Sequence, residues 1–167
     1  PFDVVPVKRK RSSSMNDIAI PSKKLLFDLI SALSEIFPDY DYRFVSSLQF
    51  AHVSLNQVTQ EVNSYFSELI DVDGKLVENL WNCIDFQLSL NSPACEIYSY
   101  KGDKDDNGPL NDKKSLWSFN YFFFNKDSQR MCYFGCKGTR YIMRRFCAIC
   151  ITLVMAFYPY HVHNYIL

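Results

Sequence analysis

Between Ser115 and Asn125 the chain alternates with a period of two, placing Trp117, Phe119, Tyr121 and Phe123 on one side of an extended strand. A helix would scatter these rings around its circumference; a strand gathers them on one face. The opposite side, Leu116, Ser118, Asn120, Phe122 and Phe124, is apolar only at its ends. Lys126-Asp127-Ser128 provides a turn into a partner strand at Gln129–Cys136, so the segment predicts an antiparallel hairpin. Trp117, Phe119, Tyr121 and Phe123 are expected in the core, because large rings release the most water-exposed apolar area when buried together.

Something must cover that hairpin, and the upstream chain supplies helices. Leu25, Leu26, Leu29, Ile30, Leu33 and Phe37 recur at helical spacing, and Pro38 closes the segment. Ser54 is a good N-cap with Gln57 completing a capping box, and Val53 and Val58 occupy the two positions of a hydrophobic staple. The apolar stripe of this second helix is Leu55, Val58, Val62, Tyr65, Phe66 and Leu69, with Asp71-Val72-Asp73-Gly74 as its exit turn. A third helix runs through Leu76, Leu80, Trp81, Ile84 and Leu88 and stops before Pro93; residues 94–100 then read as a strand, followed by a polar loop at 101–114. Helices followed by strands in blocks predict an α+β fold, an antiparallel sheet packed by about three helices in a single domain. The length of 167 residues fits one domain, and 48% hydrophobic residues suffice for a packed core, which excludes a wholly disordered chain.

The formal charge is zero but unevenly spread. Residues 1–24 carry six basic and two acidic side chains, residues 25–112 four and fifteen, and residues 113–167 eight and one. An acidic middle argues against sequence-specific nucleic-acid binding, which needs clustered Lys and Arg, and favours a protein partner with basic surface. Residues 1–22 are expected to form a flexible basic and serine-rich arm. Within it, Lys8-Arg9-Lys10-Arg11 suits a nuclear-import signal, an extended cationic strip for an acidic groove. Ser12, Ser13 and Ser14 follow directly, with Arg9 three residues before Ser12 and Arg11 three before Ser14, the spacing basophilic kinases read. A phosphate there adds about −1.5 to −2 of charge beside the import signal.

Other patterns carry less chemistry. Asp103, Asp105, Asn107 and Gly108 match the opening of a calcium loop, but Lys114 stands where the bidentate Glu belongs, so no calcium site is expected. Cys132 and Cys136 lie four apart on one face of a predicted strand, and Cys147 and Cys150 lie among apolar residues; no metal or cofactor is expected. There is no phosphate-binding glycine loop and no nucleophile elbow, His52 is isolated, and a catalytic role is not expected. The six cysteines read as those of a reducing compartment. Residues 146–160 form an almost unbroken apolar run after Arg144-Arg145, compatible with a buried terminal element or with a membrane anchor; the anchor would make the protein a membrane-tethered regulator.

Three segments in order carry a resemblance. They are Lys24–Ile30 running on to Phe37-Pro38-Asp39-Tyr40-Asp41-Tyr42, then Leu80-Trp81-Asn82 leading to Cys95–Tyr100, and finally Ser115–Lys126 with Trp-Ser-Phe-Asn-Tyr-Phe-Phe at its centre. Together they resemble the Maf-type global repressors of RNA polymerase III, over about residues 22–137. The resemblance implies a non-catalytic regulator shuttling between nucleus and cytoplasm. It would bind the polymerase, block recruitment by the initiation factor TFIIIB, and answer to kinases and phosphatases linked to TOR, nutrients and stress. Tyr42 stands where relatives usually have Phe, the family's N-terminal box is missing from this chain, which begins at Pro1, and an apolar stretch replaces the acidic tail common in relatives. The expected organisation is the arm at 1–22, a partial repressor domain at 23–137 and an apolar tail at 138–167. Loss of the N-terminal strands is expected to expose a sheet edge. Asp39, Tyr40 and Asp41, just after a helix-ending proline, are the candidate partner-binding residues.

Overall fold

The computed structural model describes residues 20–69, 75–102, 115–143 and 146–159. Three helices, α1 (Lys23–Ile36), α2 (Leu55–Leu69) and α3 (Lys75–Leu88), accompany five strands: β1 (Phe50–His52), β2 (Cys95–Tyr100), β3 (Ser115–Asn125), β4 (Arg130–Met143) and β5 (Phe146–Pro159). The strands form one sheet in the order β1-β2-β3-β4-β5, every neighbour antiparallel. This is the expected α+β architecture.

The period-two pattern of β3 sorts the core into two halves. Phe119, Tyr121 and Phe123 face α2 and α3 with Ile97, Cys132, Phe134 and Cys136, meeting Val58, Val62, Phe66, Leu80, Ile84 and Leu88. Phe122 and Phe124 face the other way with Tyr98, Tyr100, Met131 and Tyr133, where Leu25, Leu29, Ala32 and Leu33 of α1 cover them. Around β2, β3 and the first half of β4 both faces of the sheet are therefore covered, including the side whose middle reads as polar. Asn120 resolves that conflict. It is buried, its Nδ2 donating to the Tyr100 carbonyl and its Oδ1 accepting from the Tyr100 N–H, both at 2.9 Å. The side chain thus satisfies backbone groups of β2 beyond the last β2–β3 pair, Tyr98 with Phe122.

Trp117 is half-buried and continues the ladder, stacked on Tyr65 at 4.7 Å between ring centroids and on Phe119 at 5.8 Å. Its ring lies against Gly138, where a Cβ would sit 2.5 Å away, so β4 needs a glycine opposite the indole. The Tyr121 hydroxyl donates to Glu61 Oε2 at 2.6 Å and ties α2 to the sheet; burial and this carboxylate push the Tyr121 phenol well up.

Helix ends follow local chemistry. Ser22 caps α1 by accepting from the Leu25 N–H, and the helix ends at Ile36 before Pro38. The capping box at α2 forms: Gln57 N–H donates to Ser54 Oγ at 3.3 Å, and Ser54 N–H to Gln57 Oε1 at 3.1 Å. Val53 packs against the same core as Val58, as the staple requires. α3 stops with Ser89 in the left-handed region and Asp85 Oδ1 accepting from the Leu90 N–H.

Two boundaries differ from expectation. The hairpin turn spans 126–129 rather than ending at Ser128, with Gln129 at positive φ and β4 starting at Arg130. The boundary drawn at 137/138 falls inside β4, which runs to Met143. The apolar run at 146–160, read as a buried terminal element or a membrane anchor, is an extended strand at Phe146–Pro159, paired with β4 from Met143↔Phe146 to Arg130↔Pro159. No helix among the described residues is long and apolar enough to cross a membrane. Pairing with β5 also covers the side of β4 away from β3, so the open edges of the described sheet are β1 and β5.

Candidate protein-binding site

The connection from α1 to β1 is where large side chains meet water on a well-tied frame. Tyr42 is buried and Phe50 starts β1 in the core, pinning the segment at two points. Between them Val45 N–H donates to the Tyr42 carbonyl at 3.1 Å, a turn with Arg43 and Phe44 at its tip. Ser47–Gln49 forms a short 3-10 turn, closed by Ser46 N–H donating to Gln49 Oε1 at 2.6 Å. The Gln49 carbonyl accepts from Lys101 N–H at 2.7 Å, joining the segment to the end of β2.

Asp39, Tyr40 and Asp41 are all exposed, as expected from their position after Pro38. Their chemistry differs. Asp41 accepts from the Arg43 backbone N–H at 3.0 Å and from its guanidinium, with Nη2 to Oδ2 at 2.6 Å. These bonds to Arg43, side chain first and backbone second, lower the Asp41 carboxyl to about 2 and raise the Arg43 pKa. The Arg43 guanidinium also lies 5.8 Å from the centroid of the Phe44 ring. Phe44 and Leu48 are both largely exposed despite their large apolar side chains.

The remaining candidates are placed as follows. Of the four rings on β3, Phe119, Tyr121 and Phe123 are buried and Trp117 half-buried, so they build the scaffold. Lys8, Arg9, Lys10, Arg11, Ser12, Ser13 and Ser14 lie outside the described residues, as do the calcium-like residues at 103–108. Ile20, the first described residue, lines a groove of about 420 Å³ with Ser22, Lys24, Glu96, Tyr98, Lys126 and Gln129; there Lys126 Nζ donates to Glu96 Oε1 at 2.6 Å. Burial pushes the Cys132 thiol up to about 12 and the Cys136 thiol to about 11, so both stay protonated near neutral pH. Among the described residues no three of His, Cys, Asp and Glu gather to hold a metal ion. His52 is exposed, edge-on to Tyr98.

A doubly covered sheet with an exposed aromatic and apolar loop tied to its frame offers a candidate surface for protein contacts. The chain belongs to the family described as Maf1 regulator, whose model matches residues 5–135. It is 36% identical over 118 residues to the "Repressor of RNA polymerase III transcription" of Dictyostelium discoideum, covering 70% of this chain and 41% of that protein. It is 34% identical over 122 residues to the "Repressor of RNA polymerase III transcription maf1" of Schizosaccharomyces pombe, covering 70% and 48%. Against the crystal structure of citrus MAF1 the identity is 31% and the TM-score 0.45, covering 67% of this chain and 63% of that one. The match thus spans less than half the length of these two curated relatives.

Proposed function

We propose that this chain represses transcription by RNA polymerase III through protein contacts and without catalysis. The observation that carries this reading is the family match over residues 5–135, together with relatives named as repressors of that polymerase. In mechanism, the folded domain binds the polymerase and blocks its recruitment by TFIIIB. The arm sets where and when this happens: Lys8–Arg11 serve nuclear import, and phosphate on Ser12, Ser13 or Ser14 offsets their charge, adding about −1.5 to −2 per site. Kinases and phosphatases answering to nutrients and stress through TOR signalling would then move the protein between cytoplasm and nucleus. The acidic stretch at 25–112, net −11, supports a basic protein surface as partner rather than a phosphate backbone.

A promoter-directed transcription assay with purified RNA polymerase III and TFIIIB tests the reading. Unphosphorylated chain added before the polymerase should reduce transcript yield severalfold, and chain added after recruitment should reduce it less. Equal yields with and without a demonstrably folded chain would sink the proposal.

A further inference from the structure

The α1–β1 connection leaves two large apolar side chains in water while tying down their backbone. Phe44 is 87% exposed and Leu48 84%, against 6% for Tyr42 and 2% for Phe50 on either side. Phe44 rides the tip of the turn closed by Val45 N–H to the Tyr42 carbonyl, and Leu48 sits in the 3-10 turn held by Ser46 and Gln49. The Asp41–Arg43 pair stiffens the same stretch, with the guanidinium close to the Phe44 ring. Apolar groups fixed in advance lose little freedom on binding, which is why such residues dominate the energy of protein interfaces.

The charge around them indicates what they meet. Residues 35–49 carry Glu35, Asp39 and Asp41 against Arg43, a net of −2, which Lys101, bonded through its N–H to the Gln49 carbonyl, brings to −1. Because Asp41 and Arg43 neutralise each other, the uncompensated charge comes from Glu35 and Asp39, both exposed. We infer that Phe44 and Leu48 are paired docking knobs that enter an apolar cleft on a protein partner, with basic side chains at the cleft's rim facing Glu35 and Asp39. This rests on the reading above, in which the partner is the polymerase, and assigns the contact to residues beyond the Asp39–Asp41 candidates. Another exposed ring, Phe86 on α3, is 85% exposed and serves as a comparison.

The test is equilibrium binding of the full 167-residue chain to purified RNA polymerase III, by fluorescence anisotropy at two salt concentrations. The variants are Phe44→Ala/Leu48→Ala, Asp39→Asn and Phe86→Ala, each checked by circular dichroism for unchanged fold. The double variant should bind at least tenfold more weakly, Asp39→Asn should bind more weakly with a shallower salt dependence, and Phe86→Ala should match the parent. Should the double variant fail to fold, Phe44→Glu alone takes its place, with the same loss expected. Parent binding that the double variant retains in full overturns the docking knobs and leaves the repressor reading standing. No binding by the folded parent overturns both. Sedimentation of the chain alone provides the other arm: a dimer that the double variant dissolves would make a second copy the occupant and overturn the inference.

Discussion

Asp41 illustrates how one carboxylate organises a loop without being buried. Its folded pKa of about 2 lies below the ordinary 3.8, because the charged form is held by the Arg43 guanidinium and backbone N–H. A depressed carboxylate contributes above its ordinary pKa and loses that contribution as pH falls through the folded value. The Arg43 clamp should therefore be complete at pH 4 and above and open as pH approaches 2. Carboxyl-carbon NMR should place the Asp41 midpoint near 2, and Arg43→Ala should return it towards 3.8. A midpoint near 3.8 in the parent would mean the clamp does not form in solution. At this scale the chain is only partly legible. Pro38-Asp39-Tyr40-Asp41 marks an exposed turn by its residue types, but Phe44 and Leu48 have core chemistry, and only tertiary geometry leaves them outside. Asn120 is the converse, a polar residue taken inside because its partner is a backbone twenty positions away, a pairing no local pattern records.

Elements were readable where their signals are local. α2 announces itself by Ser54, Gln57, Val53 and Val58, all within one turn of its start, and the structure uses each of them. Ser54→Ala should remove the cap and destabilise the domain by about 1 kcal/mol; urea denaturation checks this, and an unchanged midpoint would show that the box contributes nothing. The β3–β4 hairpin is equally legible, since alternation over Trp117–Phe123 survives any tertiary context. β1 has three residues, too few to show a period. β5 is apolar on both sides, so period alone cannot separate a strand from a buried or membrane helix; its identity emerges only from register against β4.

At the scale of the whole molecule, one sheet serves two cores, and that sharing should make unfolding a single event. Leu33 is fully buried against the face opposite the one that meets both tryptophans, Trp81 and Trp117. Leu33→Ala should cost about 2–5 kcal/mol, and the loss should appear at the same denaturant concentration by tryptophan fluorescence and far-ultraviolet circular dichroism. Separate midpoints would mean the two faces melt independently. The same layout has a consequence set by α1. Its 14 residues span about 20 Å, with Ser22 capping one end and the segment that carries Phe44 and Leu48 following the other. Along the helix that exceeds the screening length of about 8 Å in physiological salt, so a charge at the Ser22 end of α1 is scarcely felt at the Ile36 end. On the proposed function, the residues that address the protein and those that grip its partner are separate stretches of sequence with α1 between them. On that reading, variation in the first stretch would change where the protein is sent and leave untouched what it holds.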